Sequence, residues 1–246
     1  KSESDYYYAY TSIEAAIEAA KAGETIVLIR DVTASDIITI NKAITLDGNG
    51  KTLTSTAARA INVDCEGNVG IKNLTINAKG ERAINIINKP ANVTVDNVTA
   101  TAKNNAVMMA TSATGAKLTV NESDFTGLAV VNVASAGSEV VINNTNITNV
   151  DANDGENYGA ISIFKTATNA TVVVNGGKVV VGDDSKAASI GAAGATVTFN
   201  GTEGNTVVQT IVAYIGDAGY TTLKEAIEDA KAGDVVSLIS DITASD

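Results

Sequence analysis

The chain has 246 residues, a formal net charge of −11, no histidine and one cysteine, and only 4% of its residues are aromatic. An acidic chain offers no basic face to neutralise nucleic-acid phosphates or anionic lipid headgroups, so nucleic-acid binding is not expected. No run of about 18 apolar residues is present either, so membrane insertion is not expected. With Cys65 as the single thiol, an intramolecular disulfide and zinc or copper sites built on His and Cys are excluded, and no cofactor is predicted.

The first predicted element is an amphipathic helix over about residues 11–22. Thr11 is a candidate N-cap, and Glu14 stands three residues later at the spacing of a capping box. Ile13 and Ile17 fall on one face, which predicts that the helix packs against a core. Gly23 follows where a helix of this length is expected to stop.

A column of strand-ending residues follows the helix. Seven apolar residues recur at spacings of 22–25 residues, with one spacing of 32, and six of them precede Asp or Asn. The six polar residues are predicted to form a structural turn ladder: Asp47, Asp96, Asn121, Asn143, Asn175 and Asn200. The next residue is Gly or Asn except at Glu122, and these two types adopt left-handed angles most readily. This periodicity is typical of a solenoid.

Two further rows of short apolar segments share this period. One begins at residues 60, 83 and 106, and the other follows the turns at residues 74 and 98. Three strands per repeat predict an all-β fold, a three-sheet parallel β-helix of about seven rungs. The long spacing places a polar loop at residues 151–157. Its Asp151, Asp154 and Glu156 are weak candidates for a Ca²⁺ site, with a solvated acidic loop as the alternative interpretation.

A longer repeat links the two ends of the chain. Residues 10–36 return as residues 220–246, an offset of 210 residues, including a second helix with a capping-box pair at Thr222 and Glu225. We therefore expect one module over residues 1–213. Residues 214–246 either begin the next tandem module or fold back as a C-terminal cap.

The three-strand repeat and its Asp/Asn turn column resemble the right-handed parallel β-helix of the pectin lyase-like superfamily, over about residues 10–213. The resemblance implies right-handed coiling and an N-terminal helix that covers the first rung. The 210-residue repeat is similar to pectate-lyase-like adhesive domains strung along bacterial surface proteins. On that resemblance the chain is expected to be extracellular, at the cell surface or secreted, with neighbouring modules of the same chain and a host or cell-wall glycan or protein as partners.

Enzymes of this superfamily carry clustered carboxylates on the outward face of the first sheet. The strand phase predicts the outward residues Asn62, Asn85, Met108, Val131 and Ser162, followed by Asp64, Ile87, Ala110, Val133 and Phe164. Only Asp64 is a carboxylate, and Arg59 and Arg82 are expected to form surface ion pairs with Asp64 and Glu81. These observations favour a non-catalytic structural or adhesive module without catalytic residues. The alternatives are a polysaccharide lyase or glycoside hydrolase-like enzyme, or a carbohydrate-binding module.

Overall fold

The computed structural model describes residues 8–150, 159–182, 185–239 and 241–242. The chain is an all-β parallel β-helix of about seven turns with three sheets and two short helices, which confirms the predicted fold class. The first sheet has eight parallel strands that stack along the solenoid. In chain order they are β3 (Ile38–Ile40), β5 (Arg59–Val63), β7 (Arg82–Ile86), β9 (Asn105–Met109), β12 (Val131–Val133), β15 (Gly159–Ile163), β18 (Lys186–Ile190) and β21 (Val208–Thr210).

The second and third sheets share three long strands that run through the turn between them. These strands are β4 (Thr45–Ser55), β6 (Gly67–Ala78) and β8 (Ala91–Ala102). The second sheet is completed by β1 (Thr25–Val27), β10 (Lys117–Asn121), β13 (Glu139–Asn143), β16 (Thr171–Asn175) and β19 (Thr196–Asn200). The third sheet is completed by β2 (Val32–Ala34), β11 (Asp124–Gly127), β14 (Asn146–Asn149), β17 (Lys178–Val180) and β20 (Glu203–Gly204).

The strand β8 shows how the sequence makes the corner. Val93 and Val95 are buried before it, and Val98 is buried after it, so the inward phase shifts by one residue at the turn. Asn97 absorbs the change with a left-handed φ of 52°. Stacked rungs of isoleucine, valine, leucine and alanine fill the interior, because inward positions of neighbouring rungs lie in register in the parallel ladder.

The first helix, α1 (Ile13–Ala19), covers the N-terminal end with Ile13 and Ile17 buried. The predicted N-cap at Thr11 is wrong by one residue. Ser12 is the N-cap, and its hydroxyl accepts from the Ala15 amide at 3.1 Å. Ala15 therefore occupies the third helical position, and Glu14 cannot close a capping box there.

A small antiparallel sheet with the second helix lies at the other end. It contains β22 (Ala213–Ile215), β23 (Ala218–Tyr220) and β24 (Val236–Leu238), and α2 (Leu223–Asp229) lies between the last two strands. The predicted capping box of α2 is confirmed, since Thr222 and Glu225 exchange both hydrogen bonds. Both described helices have seven residues, and no helix in the described part of the chain is long and apolar enough to cross a membrane.

Candidate functional site

The register of the first sheet corrects the predicted outward face at the fourth rung. Val131 pairs with Val107 and Ile161, which places it in the inward column. Asn132, predicted nowhere on this face, takes the outward place instead. The error came from a uniform spacing of 23 residues, whereas the pairing of Val107 with Val131 spans 24, and a slip of one residue exchanges the two faces of a strand.

The same slip affects the following outward position. Val133 is fully buried in the core, contrary to the prediction. The amide of Ala134 bonds to the Met109 carbonyl at 2.8 Å, just as the amide of Phe164 bonds to the Val133 carbonyl one rung later. Ala134 therefore continues the position of Ala110 and Phe164.

The corrected outward column is neutral, and five of its polar side chains are almost completely buried: Asn62, Asn85, Asn132, Ser162 and Ser189. Thr39 at one end is exposed, and Met108 and Gln209 are half-buried. Asn85 is 1% exposed and donates through Nδ2 to Oδ1 of Asn62 at 3.0 Å. Asn132 is 6% exposed, and its Oδ1 is buried without a hydrogen-bond partner. A buried amide oxygen that lacks a partner costs about 1–3 kcal/mol unless a ligand or water satisfies it. The column comprises Thr39, Asn62, Asn85, Met108, Asn132, Ser162, Ser189 and Gln209.

Two arginines stand at the start of this face on adjacent rungs. Arg59 and Arg82 are paired in register, and Arg82 reaches Oδ1 of Asn85 through Nη1 at 3.5 Å. Burial lowers the pKa of Arg82, and the neighbouring Arg59 charge lowers it further. The Nε atoms of both arginines are buried without a hydrogen-bond partner.

The ion pairs predicted for these arginines are not formed. Within the described residues, neither Arg59 nor Arg82 lies within salt-bridge distance of a carboxylate. Asp64 instead accepts from Nδ2 of Asn88 at 3.0 Å through Oδ2, and its Oδ1 is buried without a partner. The sequence signal for this arrangement was the arginine recurring 23 residues apart before equivalent strands. In the structure this recurrence places the two positively charged side chains on adjacent rungs, side by side.

The described outward residues of this face present amides, hydroxyls and two guanidinium groups but few carboxylates. Asp64 is the one carboxylate among its described outward residues, so a pair of carboxylates for glycoside hydrolysis is missing there. No group of three or more His, Cys, Asp and Glu side chains comes together in residues 8–150, 159–182 or 185–239. The guanidinium pair and the amide row are suited to hydroxyl or carboxylate groups of a ligand.

The turn column lies on the opposite corner, and the pairing of neighbouring strands keeps it in one register. Asn200 donates to Asn175, Asn175 to Asn143, and Asn143 to Asn121, in each case from Nδ2 to Oδ1 at 2.9 Å. Asn143 and Asn175 each donate to one neighbour and accept from the other, so the four amides form a continuous chain that ends at Asn121 and Asn200.

Asp47 and Asp96 occupy the same column, and Lys72 lies between them in the pairing. Lys72 Nζ lies 3.3 Å from Asp47 Oδ2. Burial raises the pKa of Asp47, but hydrogen bonds from Asn49, Asn73 and Lys72 outweigh it and lower the pKa below its usual value of 3.8.

The residue after the column has a positive φ in the six turns after the first, including Glu122 at 47°. In the first turn, the positive φ lies at Asn49 and Gly50 instead of Gly48. A Cβ on Gly48 would come within 2.5 Å of the Asn73 carbonyl oxygen, so glycine is needed there for close approach.

A shallow groove of about 300 Å³ lies beside these turns, where Asn73 and Asn97 meet Thr75 and Thr99. Asn97 donates to Asn73 at 2.9 Å inside it, so its amides are already engaged.

Cys65 is 4% exposed, and burial raises the pKa of its thiol. The proposed calcium ligands Asp151, Asp154 and Glu156 lie outside the described residues.

Comparisons with protein-family models, with curated proteins and with solved structures returned no match.

Proposed function

We propose that this chain is a non-catalytic structural module of a large bacterial cell-surface or secreted protein, similar to the pectate-lyase-like adhesive domains, and that it acts as a stiff spacer. The observation that carries the proposal is the 210-residue repeat. Its two copies, α1 with β1 and α2 with β24, both form a short helix followed by a strand. A chain that restarts the same unit after one solenoid is built as a modular array.

The arrangement of hydrogen bonds supports a mechanical role. Strands lie about 4.8 Å apart along the axis, so the eight strands of the first sheet span about 34 Å. The chain of asparagine amides in the turn column adds side-chain hydrogen bonds that also run along the axis of the solenoid. Bending the rod would stretch both sets of bonds.

An activity screen tests the non-catalytic part of the proposal. The protein is incubated with polyuronides and neutral polysaccharides, with and without added Ca²⁺, and products are followed by absorbance of unsaturated ends and by reducing ends. We expect no turnover above that of heat-unfolded protein. Unsaturated or reducing products formed in proportion to the amount of folded protein would overturn the proposal.

A second candidate function is the binding of an acidic glycan on the first sheet. The observation that favours it is the Arg59–Arg82 pair with its unpartnered Nε atoms beside buried amides. A glycan array with the wild type and the Arg59→Ala/Arg82→Ala double variant tests this function. Arg30→Ala is the matched control, because Arg30 is exposed and lies outside the first sheet. Binding that Arg30→Ala also abolishes, or that the double variant retains, would contradict it.

A further inference from the structure

The two copies of the terminal repeat have different surroundings. Ile17 of α1 is 4% exposed, whereas its counterpart Ile227 of α2 is 59% exposed. Leu28 is 5% exposed, and its counterpart Leu238 is 50% exposed. The same helix-and-strand unit therefore has an apolar face that is covered at the N-terminal end of the solenoid and bare at the C-terminal end.

The structure shows what covers the first copy. The strand β1 pairs in parallel with β4, and α1 lies against β3, so the first rung is laid directly on the unit. Lys42 of that rung donates through Nζ to the carbonyls of Ile17 at 2.9 Å and Ala20 at 2.9 Å, at the C-terminal end of the helix. Four backbone carbonyls at a helix C-terminus lack partners within the helix, and Lys42 supplies partners for those of Ile17 and Ala20.

At the opposite edge of the repeat unit the pairing is reversed, since that edge is paired in the second copy and not in the first among the described strands. The strand β24 pairs antiparallel with β22, and the Ile239 amide donates to the Val212 carbonyl at 3.1 Å. In the first copy, β1 has no such antiparallel neighbour among the described strands, and Ile29, the counterpart of Ile239, is 77% exposed. Each copy thus shows one of the two interactions that a complete junction would contain.

We propose that residues 213–239 are the starting unit of a second solenoid, and that the bare face with Ile227 and Leu238 is the docking surface for the first rung of a following copy of this repeat. The occupant is a segment equivalent to residues 38–47. The strand order across the junction is then β22, β24 and a second β4, so consecutive modules share one hydrogen-bonded sheet. This inference rests on the proposed structural role and specifies how one module is joined to the next.

A two-copy chain tests the junction, with residues 37–212 appended after Asp246, the counterpart of Asp36. Hydrogen exchange of the α2 and β24 amides is measured by mass spectrometry in the 246-residue chain and in the two-copy chain. Covering Ile227 and Leu238 is expected to slow exchange by at least about tenfold. Replacing the lysine of the appended copy that corresponds to Lys42 is expected to reverse part of this protection.

The matched variants are Ile17→Asp and Ile227→Asp. In the 246-residue chain, Ile17→Asp is expected to lower the melting temperature strongly, and Ile227→Asp to leave it unchanged. In the two-copy chain, Ile227→Asp is expected to abolish the protection of α2. Unchanged exchange in the two-copy chain, for any reason including an appended solenoid that does not fold, would overturn the proposed junction.

Protection that depends on the concentration of the 246-residue chain would assign this face to a second molecule, and would overturn the junction as well. Polysaccharide turnover in the activity screen would overturn the proposed function and leave the exchange result unaffected. The two failures are therefore distinguishable.

Discussion

Replacing Asn143 with alanine removes a central member of the chain of asparagine amides in the turn column. Its Nδ2 donates to Asn121 and its Oδ1 accepts from Asn175, both at 2.9 Å. The side chain is half-buried, so solvent reaches part of the gap that alanine leaves. Asn200 is the matched control, because it ends the chain and makes only the donor bond to Asn175 at 2.9 Å.

The expected magnitudes follow from counting these bonds. A neutral hydrogen bond contributes about 0.5–1.5 kcal/mol, so Asn143→Ala is expected to lower the free energy of unfolding by about 2 kcal/mol and Asn200→Ala by about 1 kcal/mol. Partial exposure keeps Asn143→Ala below the cost of leaving two fully buried amides without partners. For a chain of this length, about 2 kcal/mol corresponds to a fall in melting temperature of about 4–8 °C.

The assay is thermal and urea unfolding followed by circular dichroism, with hydrogen exchange to locate the weakened rungs. Because rungs contact only their neighbours, we expect exchange to accelerate chiefly in β10, β13 and β16. Equal shifts for Asn143→Ala and Asn200→Ala would refute the reasoning, since the ladder would then contribute nothing beyond individual exposed amides. So would faster exchange spread evenly over all rungs.

Three other predictions concern the turns. Glu122 has a φ of 47°, a left-handed angle that asparagine adopts more readily, so Glu122→Asn is expected to raise the melting temperature by about 2–4 °C. The control is Glu66→Asn, at an exposed position with ordinary φ, which should leave the melting temperature unchanged; equal shifts for the two variants would contradict the prediction. A Cβ on Gly177 would lie 2.1 Å from a backbone oxygen of the neighbouring rung, whereas a Cβ on Gly201 would meet open space. The Gly177→Ala variant should therefore unfold at a much lower urea concentration than Gly201→Ala, and similar urea midpoints would be evidence against the close approach at Gly177. Hydrogen bonding outweighs burial and lowers the pKa of Asp47 below 3.8, so the stabilisation by this carboxylate is present above that pH and is lost as the pH falls through the lowered pKa. The difference in free energy of unfolding between the wild type and Asp47→Asn should therefore shrink as the pH falls below about 5, and a difference that stays constant with pH would contradict the lowered pKa.

The fold could be predicted because the turn column fixes both the period and the strand phase. The residues that the sequence misplaced are those where the spacing changes by one. A constant period of 23 residues places Val131 on the outer face, and the pairing with Val107 reveals the extra residue that turns it inward. The N-cap is misplaced for a different reason: Thr11 and Ser12 are adjacent hydroxyl residues, and the backbone angles of Ser12 together with its bond from the Ala15 amide distinguish them.

The candidate site was harder to predict than the fold. The sequence placed Arg59 and Arg82 near Asp64 and Glu81 and therefore suggested ion pairs. In the structure Arg59 and Arg82 lie at the beginning of β5 and β7, whereas Asp64 follows the end of β5. A five-residue strand spans about 16 Å, which is beyond the range of a salt bridge. Strand length thus separates Arg59 from Asp64. Glu81 is adjacent to Arg82 in the chain and its charge partly offsets the lowering of the Arg82 pKa by burial, but the two side chains are not among the ion pairs of the described residues.

Lys72 shows that a departure from a repeat can be part of its physical design. A column of identical amides extends without limit, because each amide both donates and accepts, but a carboxylate only accepts. Asp47 and Asp96 would therefore interrupt the chain, and stacked on adjacent rungs they would repel each other. The register places Lys72 between them, 3.3 Å from Asp47, so the two carboxylates are two rungs apart with a positive charge in the intervening position. The one basic residue of the column stands where the sequence alternates acid, base and acid, and from Asn121 onward the neutral amides continue the column.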